Sequence, residues 1–243
     1  MNNYQKILRR VLDALNKYKE ETNCKGVVIG ISGGKDSTFV TMLSKKVWGK
    51  NVFGVLMPNG IQKDLKDSVD ICEQLGIAYT KINIGSAIKS LTKEIEAQAC
   101  KISDKSMTNI PPRIRMTTLY AIAQSMGYRV IGTSNFSESY IGWTTKFGDS
   151  ACDINPIGTL TCSEVIELGK ILAEEFGLDK KYIVKAPADG LTSKTDEDNF
   201  GFTYKDLDEY IVTGKGDEEL VQKIEQMHKA SEHKRKMPYI VAS

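Results

Sequence analysis

The stretch GVVIGISGGKDSTFV, residues 26–40, decides the fold of this chain. Its first seven residues form an almost continuous apolar and β-branched run, which is typical of a strand buried on both faces. A glycine-rich turn follows, and Phe39, Val40, Leu43 and Val47 then recur at the spacing of one helical face. The stretch therefore predicts a buried strand, a tight loop and a helix.

Strand-like and helix-like segments alternate after this unit. Pro111 and Pro112 predict the start of a helix that ends near Met126, because proline is favoured in a first helical turn. The alternation predicts an α/β fold, a doubly wound and mainly parallel sheet with helices on both faces, within a single domain over 1–243. The other predicted strands are 51–58, 77–84 and 128–134, and the other predicted helices are 64–76, 85–100 and 163–177.

Bulk composition excludes several classes of protein. The chain has 33 Lys and Arg against 31 Asp and Glu, so its net charge of +2 gives no support for a broad nucleic-acid or membrane-binding face. Five cysteines without a CxxC pair, and only two histidines, argue against a structural zinc site or a disulfide framework. The N-terminal segment reads as an amphipathic helix and lacks the apolar core of a signal peptide. We expect a cytoplasmic protein.

The loop at 30–37, GISGGKDS, has the composition of a phosphate site. It is not a Walker A loop, because position 29 is Ile and Asp36 follows Lys35, and its glycines do not fit the dinucleotide-binding spacing. One interpretation is a different phosphate cradle, with backbone N–H groups and the positive end of the next helix facing the anion and Asp36 holding magnesium. The alternative is a plain glycine-rich turn in which Asp36 or Ser37 caps the helix.

SGGKDS after a strand resembles the pyrophosphate motif of the N-type ATP pyrophosphatases, which fold as adenine nucleotide alpha hydrolase-like domains. Further segments resemble one branch, the ammonia-dependent NAD synthetases, and they occur in that family's order. The resemblance implies that deamido-NAD is adenylated by ATP, and that ammonia then displaces AMP to give NAD. These segments are PPRIRMTTLYAIA (111–123), VIGTSNFSE (130–138), WTTKFGDSACDINPIG (143–158), TDEDNFGFTYKDLDEYI (195–211) and EHKRKMP (232–238).

The resemblance also implies roles for individual residues, a homodimer, ATP and Mg²⁺, and no glutaminase domain. Asp36, Lys35 and Asp149 are the catalytic candidates, and Asp36 and Glu138 the metal ligands. Deamido-NAD would contact Arg113, Lys146, Asp153, His233 and Lys234. ATP would contact Gly30, Ile31, Ser32, Gly33, Gly34, Lys35, Asp36, Ser37, Thr133, Cys162 and Ala188.

The chain departs from the family pattern on the ATP side. Cys162 stands in place of a lysine, Ala188 in place of a threonine and Leu56 in place of an arginine. The missing charge could be supplied by Lys35, Lys185 or Lys194, which is a hypothesis.

Each segment also has a plainer interpretation. Arg113 and Arg115 could form a solvated helix face, and being two residues apart they do not share one face. Glu138 could be a surface carboxylate, Asp153 could initiate a turn, and EHKRK could be a solvated charge run.

Two other functions stay open: another pyrophosphatase, such as a GMP-synthetase-like amidase or a tRNA sulfur transferase, and a nucleotide-binding module without turnover. Balanced charge disfavours tRNA binding.

Overall fold

A parallel sheet of four strands forms the centre of the computed structural model, which describes residues 3–61, 65–185 and 195–241. The strand order is β3-β2-β1-β4, and every pairing is parallel. The central position of β1 agrees with its apolar run, since both of its faces are covered. The strands are β1 (Val27–Gly30), β2 (Val52–Leu56), β3 (Ala78–Lys81) and β4 (Arg129–Val130).

Helices cover both faces of the sheet, as predicted. Val27 and Ile29 pack into a core with α1, α2, α3 and α7, whereas Val28 packs on the opposite face with α4 and α5. Alternate residues of one strand point to opposite faces, so β1 contributes to both cores. The helices are α1 (Asn3–Glu21), α2 (Lys35–Trp48), α3 (Leu65–Leu75), α4 (Gly85–Gln98), α5 (Asp104–Met126), α6 (Phe136–Ile141), α7 (Cys162–Phe176), α8 (Lys181–Val184), α9 (Asp196–Phe200), α10 (Tyr204–Thr213), α11 (Glu218–Ala230) and α12 (Glu232–Arg235).

The observed strands are shorter than predicted, and two predicted boundaries are far from the observed ones. The helix that was expected to start at Pro111 begins at Asp104, and both prolines lie inside it. Ser103 caps this longer helix by accepting a hydrogen bond from the backbone N–H of Ser106, at 3.3 Å. The fourth strand is much shorter than 128–134, because after Val130 the chain forms only one further bridge, from Ile131 to Ile154.

The C-terminal helices build a third core beside the carboxyl ends of the strands. Phe200, Leu207 and Ile224 pack there with Ile141 of α6 and Cys162 of α7. This core holds α6 against the start of α7, next to the glycine-rich loop. In the part of the chain that the structure describes, no helix is long and apolar enough to cross a bilayer.

Candidate active site

The glycine-rich loop is braced by its own two serines. The hydroxyl groups of Ser32 and Ser37 lie 3.0 Å apart, and Ser37 Oγ also donates to the carbonyl of Gly34 at 3.1 Å. Gly33 has a φ of +82°, a left-handed conformation that favours glycine. The N-cap of α2 is Gly34, so the alternative in which Asp36 or Ser37 caps this helix is wrong. The first N–H groups of α2 therefore face the loop without a side-chain cap, which suits an anion.

Two carboxylates and one ammonium form a cluster directly after this loop. Lys35 Nζ lies 2.7 Å from Asp36 Oδ2 and 4.0 Å from Glu138 Oε1. The side chain of Lys35 is 3% exposed, and those of Asp36 and Glu138 are each 17% exposed. Asp36 follows β1 and Glu138 follows β4, so two adjacent parallel strands bring them together. Glu138 is therefore not a surface carboxylate.

Burial and neighbouring charges shift pKa values within this cluster. Burial and the nearby charge of Asp36 raise the pKa of Glu138 well above its ordinary value, and Lys35 opposes this rise. Burial lowers the pKa of Lys35, but the charges of Asp36 and Glu138 more than offset burial and raise it. Burial, and then the charges of Glu138 and Asp196, also raise the pKa of the Tyr204 phenol. The cluster is thus poor in positive charge.

The carboxylates of Asp36 and Glu138 are chemically suited to hold a magnesium ion. Mg²⁺ prefers oxygen ligands and usually takes one or two protein carboxylates, with waters and substrate phosphates completing its shell. Within residues 3–61, 65–185 and 195–241, no group of three or more His, Cys, Asp or Glu side chains could hold a metal by itself. Asp36 and Glu138 would therefore supply only part of the shell of such an ion.

Four of the predicted substrate residues come together in a second cluster. Arg113 Nε and one terminal nitrogen each lie 3.4 Å from the carbonyl oxygen of Lys146. Lys146 Nζ in turn donates to the carbonyl of His233 at 2.5 Å and to that of Lys236 at 3.0 Å. Lys234 Nζ donates at 2.7 Å to the carbonyls of both Gly142 and Thr144. Lys234 and the backbone of the EHKRK segment are therefore bound to the 142–146 loop, while the side chains of Glu232, His233, Arg235 and Lys236 are exposed.

Asp149 belongs to the same region. Its Oδ1 accepts a hydrogen bond of 2.7 Å from the backbone N–H of Thr145, and Ser134 Oγ donates to its carbonyl at 3.3 Å. Burial raises the pKa of this carboxyl, although hydrogen bonds from Thr145 lower it. Asp149 thus lies between the end of β4 and the substrate-side residues.

Asp153 makes no described hydrogen bond to Arg113, Lys146, His233 or Lys234. Its Oδ2 accepts a hydrogen bond of 2.7 Å from the backbone N–H of Val130, which fixes it at the edge of β4. Burial, and then the charge of Asp153, raise the pKa of Tyr120 to about 12. The contacts of Asp153 therefore differ from those of Arg113, Lys146 and Lys234.

The other positions that were expected to contact ATP, or to supply its missing charge, differ in how far they are exposed to solvent. Thr133 follows β4 and is half-buried. The Cys162 side chain is 1% exposed, and burial raises the pKa of its thiol to about 12, although the charge of Lys35 lowers it. Leu56 is fully buried in the core, and Lys185 pairs with Asp67 Oδ2 at 2.9 Å. Ala188 and Lys194 lie outside the described residues.

Three residues of the site had no role in the sequence prediction. The side-chain amide of Asn135 donates to Asp36 Oδ1 at 3.0 Å, and Lys35 Nζ lies 5.3 Å from the centroid of the Tyr204 ring. Arg115 Nε donates at 3.2 Å to the carbonyl of Met57, just after β2. Only Asn135 had a usable signal, because Asn three residues before Glu138 predicts an N-cap.

Known proteins resemble the chain over nearly its whole length. The NAD synthase family profile matches residues 7–238. The NH(3)-dependent NAD(+) synthetase of Carboxydothermus hydrogenoformans is 37% identical over 241 residues, covering 98% of both chains, and that of Thermococcus sibiricus is 39% identical over 251 residues, covering 97% of this chain and 96% of the relative.

Solved structures of such proteins share the fold over nearly the whole chain. NMN synthetase from Francisella tularensis superposes with a TM-score of 0.90 at 32% identity, covering 99% of both chains. The NH3-dependent NAD synthetase from Campylobacter jejuni superposes with a TM-score of 0.78 at 32% identity, covering 100% of both chains. On this similarity of sequence and structure, the chain belongs to the NAD synthase family.

Proposed function

We propose that the chain catalyses the reaction of its family, the ATP-dependent amidation of deamido-NAD to NAD with ammonia. An adenylated carboxylate is the intermediate, and AMP and pyrophosphate are released in this last step of NAD synthesis. The observation that carries the proposal is the pair Asp36 and Glu138, set at the ends of two neighbouring strands beside the uncapped start of α2. This is where an open parallel sheet binds its ligand.

The loop is proposed to hold the phosphates of ATP. Backbone N–H groups of Gly33 and Gly34 and the start of α2 would face the negative oxygens, with the hydroxyls of Ser32 and Ser37 keeping the loop in shape. Asp36 and Glu138 would hold Mg²⁺, which neutralises charge that develops on the phosphates. The other proposed ATP contacts are Gly30, Ile31, Lys35, Thr133, Cys162 and Ala188.

Deamido-NAD is proposed to lie against Arg113, Lys146, His233 and Lys234. Asp153 is retained as a proposed contact, although its described hydrogen bond is to Val130. Attack of ammonia on the adenylate requires no protein nucleophile, but the attacking nitrogen must lose a proton. Asp149 is the proposed acceptor, because its carboxyl is fixed by the backbone N–H of Thr145 beside the substrate-side residues and its pKa is raised.

The chain is further proposed to act in the cytoplasm as a homodimer of single-domain subunits that use free ammonia. The charge balance and the absence of a CxxC pair support a small-molecule enzyme.

An assay with ATP, Mg²⁺, ammonium and deamido-NAD tests the proposal. NAD and AMP should appear in equal amounts, and Asp36→Asn should abolish both while leaving the circular dichroism spectrum unchanged. AMP formation only with xanthylate or tRNA would favour another pyrophosphatase. ATP binding without any turnover would favour a nucleotide-binding module.

A second candidate is amidation of the mononucleotide, nicotinate mononucleotide to NMN. The observation that favours it is the TM-score of 0.90 with the Francisella NMN synthetase, against 0.78 with the Campylobacter NAD synthetase at the same identity. The ratio of kcat/KM for deamido-NAD and nicotinate mononucleotide decides between them. A ratio above one supports the dinucleotide, and a ratio below one supports the mononucleotide.

A further inference from the structure

Lys35 occupies an unusual position for a lysine. It lies in the first turn of α2, its side chain is only 3% exposed, and its ammonium is held between the carboxylates of Asp36 and Glu138. Tyr204 closes the cluster with its ring centroid 5.3 Å from Nζ. A buried lysine of this kind needs compensating charge, and here two carboxylates provide it.

The two carboxylates are the same pair that the proposed function gives to Mg²⁺. In this structure they are bridged by the ammonium, at 2.7 Å and 4.0 Å. A cation placed between them would meet Nζ at close range, and like charges at such distances repel strongly in a site with little solvent. Lys35 and a metal ion therefore cannot both bind the pair in this arrangement.

The second carboxylate oxygen of Asp36 is already used. Asn135 donates to Oδ1 while Lys35 holds Oδ2, so the oxygen that a metal would take is the one that the ammonium bonds. The bond from Asn135 therefore holds Asp36 independently of the bond from Lys35. The lysine can leave without the carboxylate turning away.

We propose that Lys35 is an internal stand-in cation, which neutralises Asp36 and Glu138 when no metal is bound and competes with the metal for them. The proposal rests on the metal assignment made in the proposed function. It implies that the metal enters well only with nucleotide, whose phosphates offer the displaced ammonium a new anionic partner. Lys35 would then contribute to ATP binding in the loaded state and to folding in the empty state.

Mn²⁺ binding to the nucleotide-free protein tests whether Lys35 competes with a metal ion for the two carboxylates. Electron paramagnetic resonance measures the concentration of free Mn²⁺ and so gives the affinity. Lys35→Met should bind Mn²⁺ about tenfold more tightly than the unmodified chain, within the usual range of coupling between two competing sites. Lys46→Met is the matched control, since Lys46 lies on the same helix and pairs with Glu175 outside the site. It should leave Mn²⁺ affinity unchanged.

Mn²⁺ binding by the single variant Glu138→Gln separates the stand-in proposal from the metal assignment. If Glu138→Gln weakens Mn²⁺ binding but Lys35→Met does not tighten it, the stand-in proposal is overturned and the metal assignment stands. If Glu138→Gln leaves Mn²⁺ binding unchanged, the metal assignment fails and the stand-in proposal fails with it.

Thermal unfolding gives a readout that does not depend on activity. Without the ammonium, Asp36 and Glu138 repel each other, so Lys35→Met should melt at a lower temperature than the unmodified chain. Added Mn²⁺ should raise its Tm by more than it raises that of the unmodified chain or of Lys46→Met. An equal Tm response in all three would contradict the proposal. Lys35→Gln, which retains a hydrogen-bond donor, serves in the same measurements if Lys35→Met does not fold.

Discussion

Asn135 and Asp36 are joined by a hydrogen bond of 3.0 Å across 99 positions of sequence, from the Asn135 amide to Asp36 Oδ1. The side-chain oxygen of Asn135 accepts a hydrogen bond from the backbone N–H of Glu138, also at 3.0 Å. One fully buried side chain therefore caps α6 and orients the carboxylate that follows β1. It links the two proposed metal ligands, Asp36 and Glu138, through a single amide group.

Replacing Asn135 by Ser should separate these two tasks. Serine is a good N-cap, so α6 should remain, but the donor to Asp36 is lost. We expect turnover to fall about tenfold or more, as is typical when a supporting partner of a metal ligand is removed. The free energy of unfolding should fall by about 1–3 kcal/mol, the usual cost of one lost buried hydrogen bond. Unchanged turnover in this variant would show that Asp36 is held by other contacts.

Glu138→Gln should abolish activity while the fold persists. Glutamine keeps the shape of the side chain but removes one negative charge, and with it the proposed metal ligand. We expect kcat to fall by at least about 100-fold, measured as NAD formed at saturating ATP. Asp67→Asn is the control, because Asp67 pairs with Lys185 at the surface. A Glu138→Gln enzyme that turns over as fast as Asp67→Asn would remove Glu138 from the metal site.

Much of the fold could be predicted because β1 has an unmistakable pattern. The apolar run VVIG is typical of a strand buried on both faces, and the alternation of strands and helices after it predicted a mainly parallel sheet, but not the order of its strands. The start of α5 could not be predicted in the same way. Pro111 is a strong local signal for a helix start, but the Ser103 cap and the packing of Pro111 overrode it.

The site was only partly predictable for a different reason. Motifs show which residues belong together, but they do not show what each side chain bonds. Lys234 was expected at the substrate, yet its ammonium bonds two carbonyls, and Tyr204 lies against Lys35 through a contact between distant parts of the chain. Such partners depend on how α6, α10 and the C-terminal helices pack, which no local pattern encodes.

Arg113 and Arg115 should give opposite kinetic and stability phenotypes. Arg113 is exposed and only reaches the Lys146 carbonyl at 3.4 Å, so Arg113→Gln should raise KM for deamido-NAD about tenfold and change stability by about 0.5 kcal/mol or less. Arg115 is the bound partner of the Met57 carbonyl, so Arg115→Gln should lower the free energy of unfolding by about 1–3 kcal/mol. Urea titrations and KM values for both variants check this contrast. Equal stability losses in the two variants would contradict it.

The five cysteines should differ sharply in reactivity, with Cys100 labelled first. Cys100 is exposed, whereas Cys162 is buried and its thiol has a pKa of about 12. Thiolate is the reactive form, and its fraction grows as pH rises through the pKa. Between pH 7 and pH 9, iodoacetamide should therefore modify Cys100 and leave Cys162 unmodified, as mapped by peptide mass, whereas all five react in urea. If Cys162 were modified as fast as Cys100, the prediction that its thiol is buried and protonated would be wrong.

Gly142 and Gly214 offer a matched pair for testing the packing of the C-terminal segment. Both have left-handed backbones, with φ of +70° and +68°, so alanine is strained at each by about 1–2 kcal/mol. They differ in space: a Cβ at Gly142 would lie 2.0 Å from the Cβ of Ser231, whereas nothing lies within 4 Å of one at Gly214. Gly142→Ala should therefore cost about 1–3 kcal/mol more than Gly214→Ala in urea unfolding. It should also weaken deamido-NAD binding, because the Gly142 carbonyl accepts from Lys234. If the two variants unfolded at the same urea concentration, the close packing of α6 against Ser231 would be wrong.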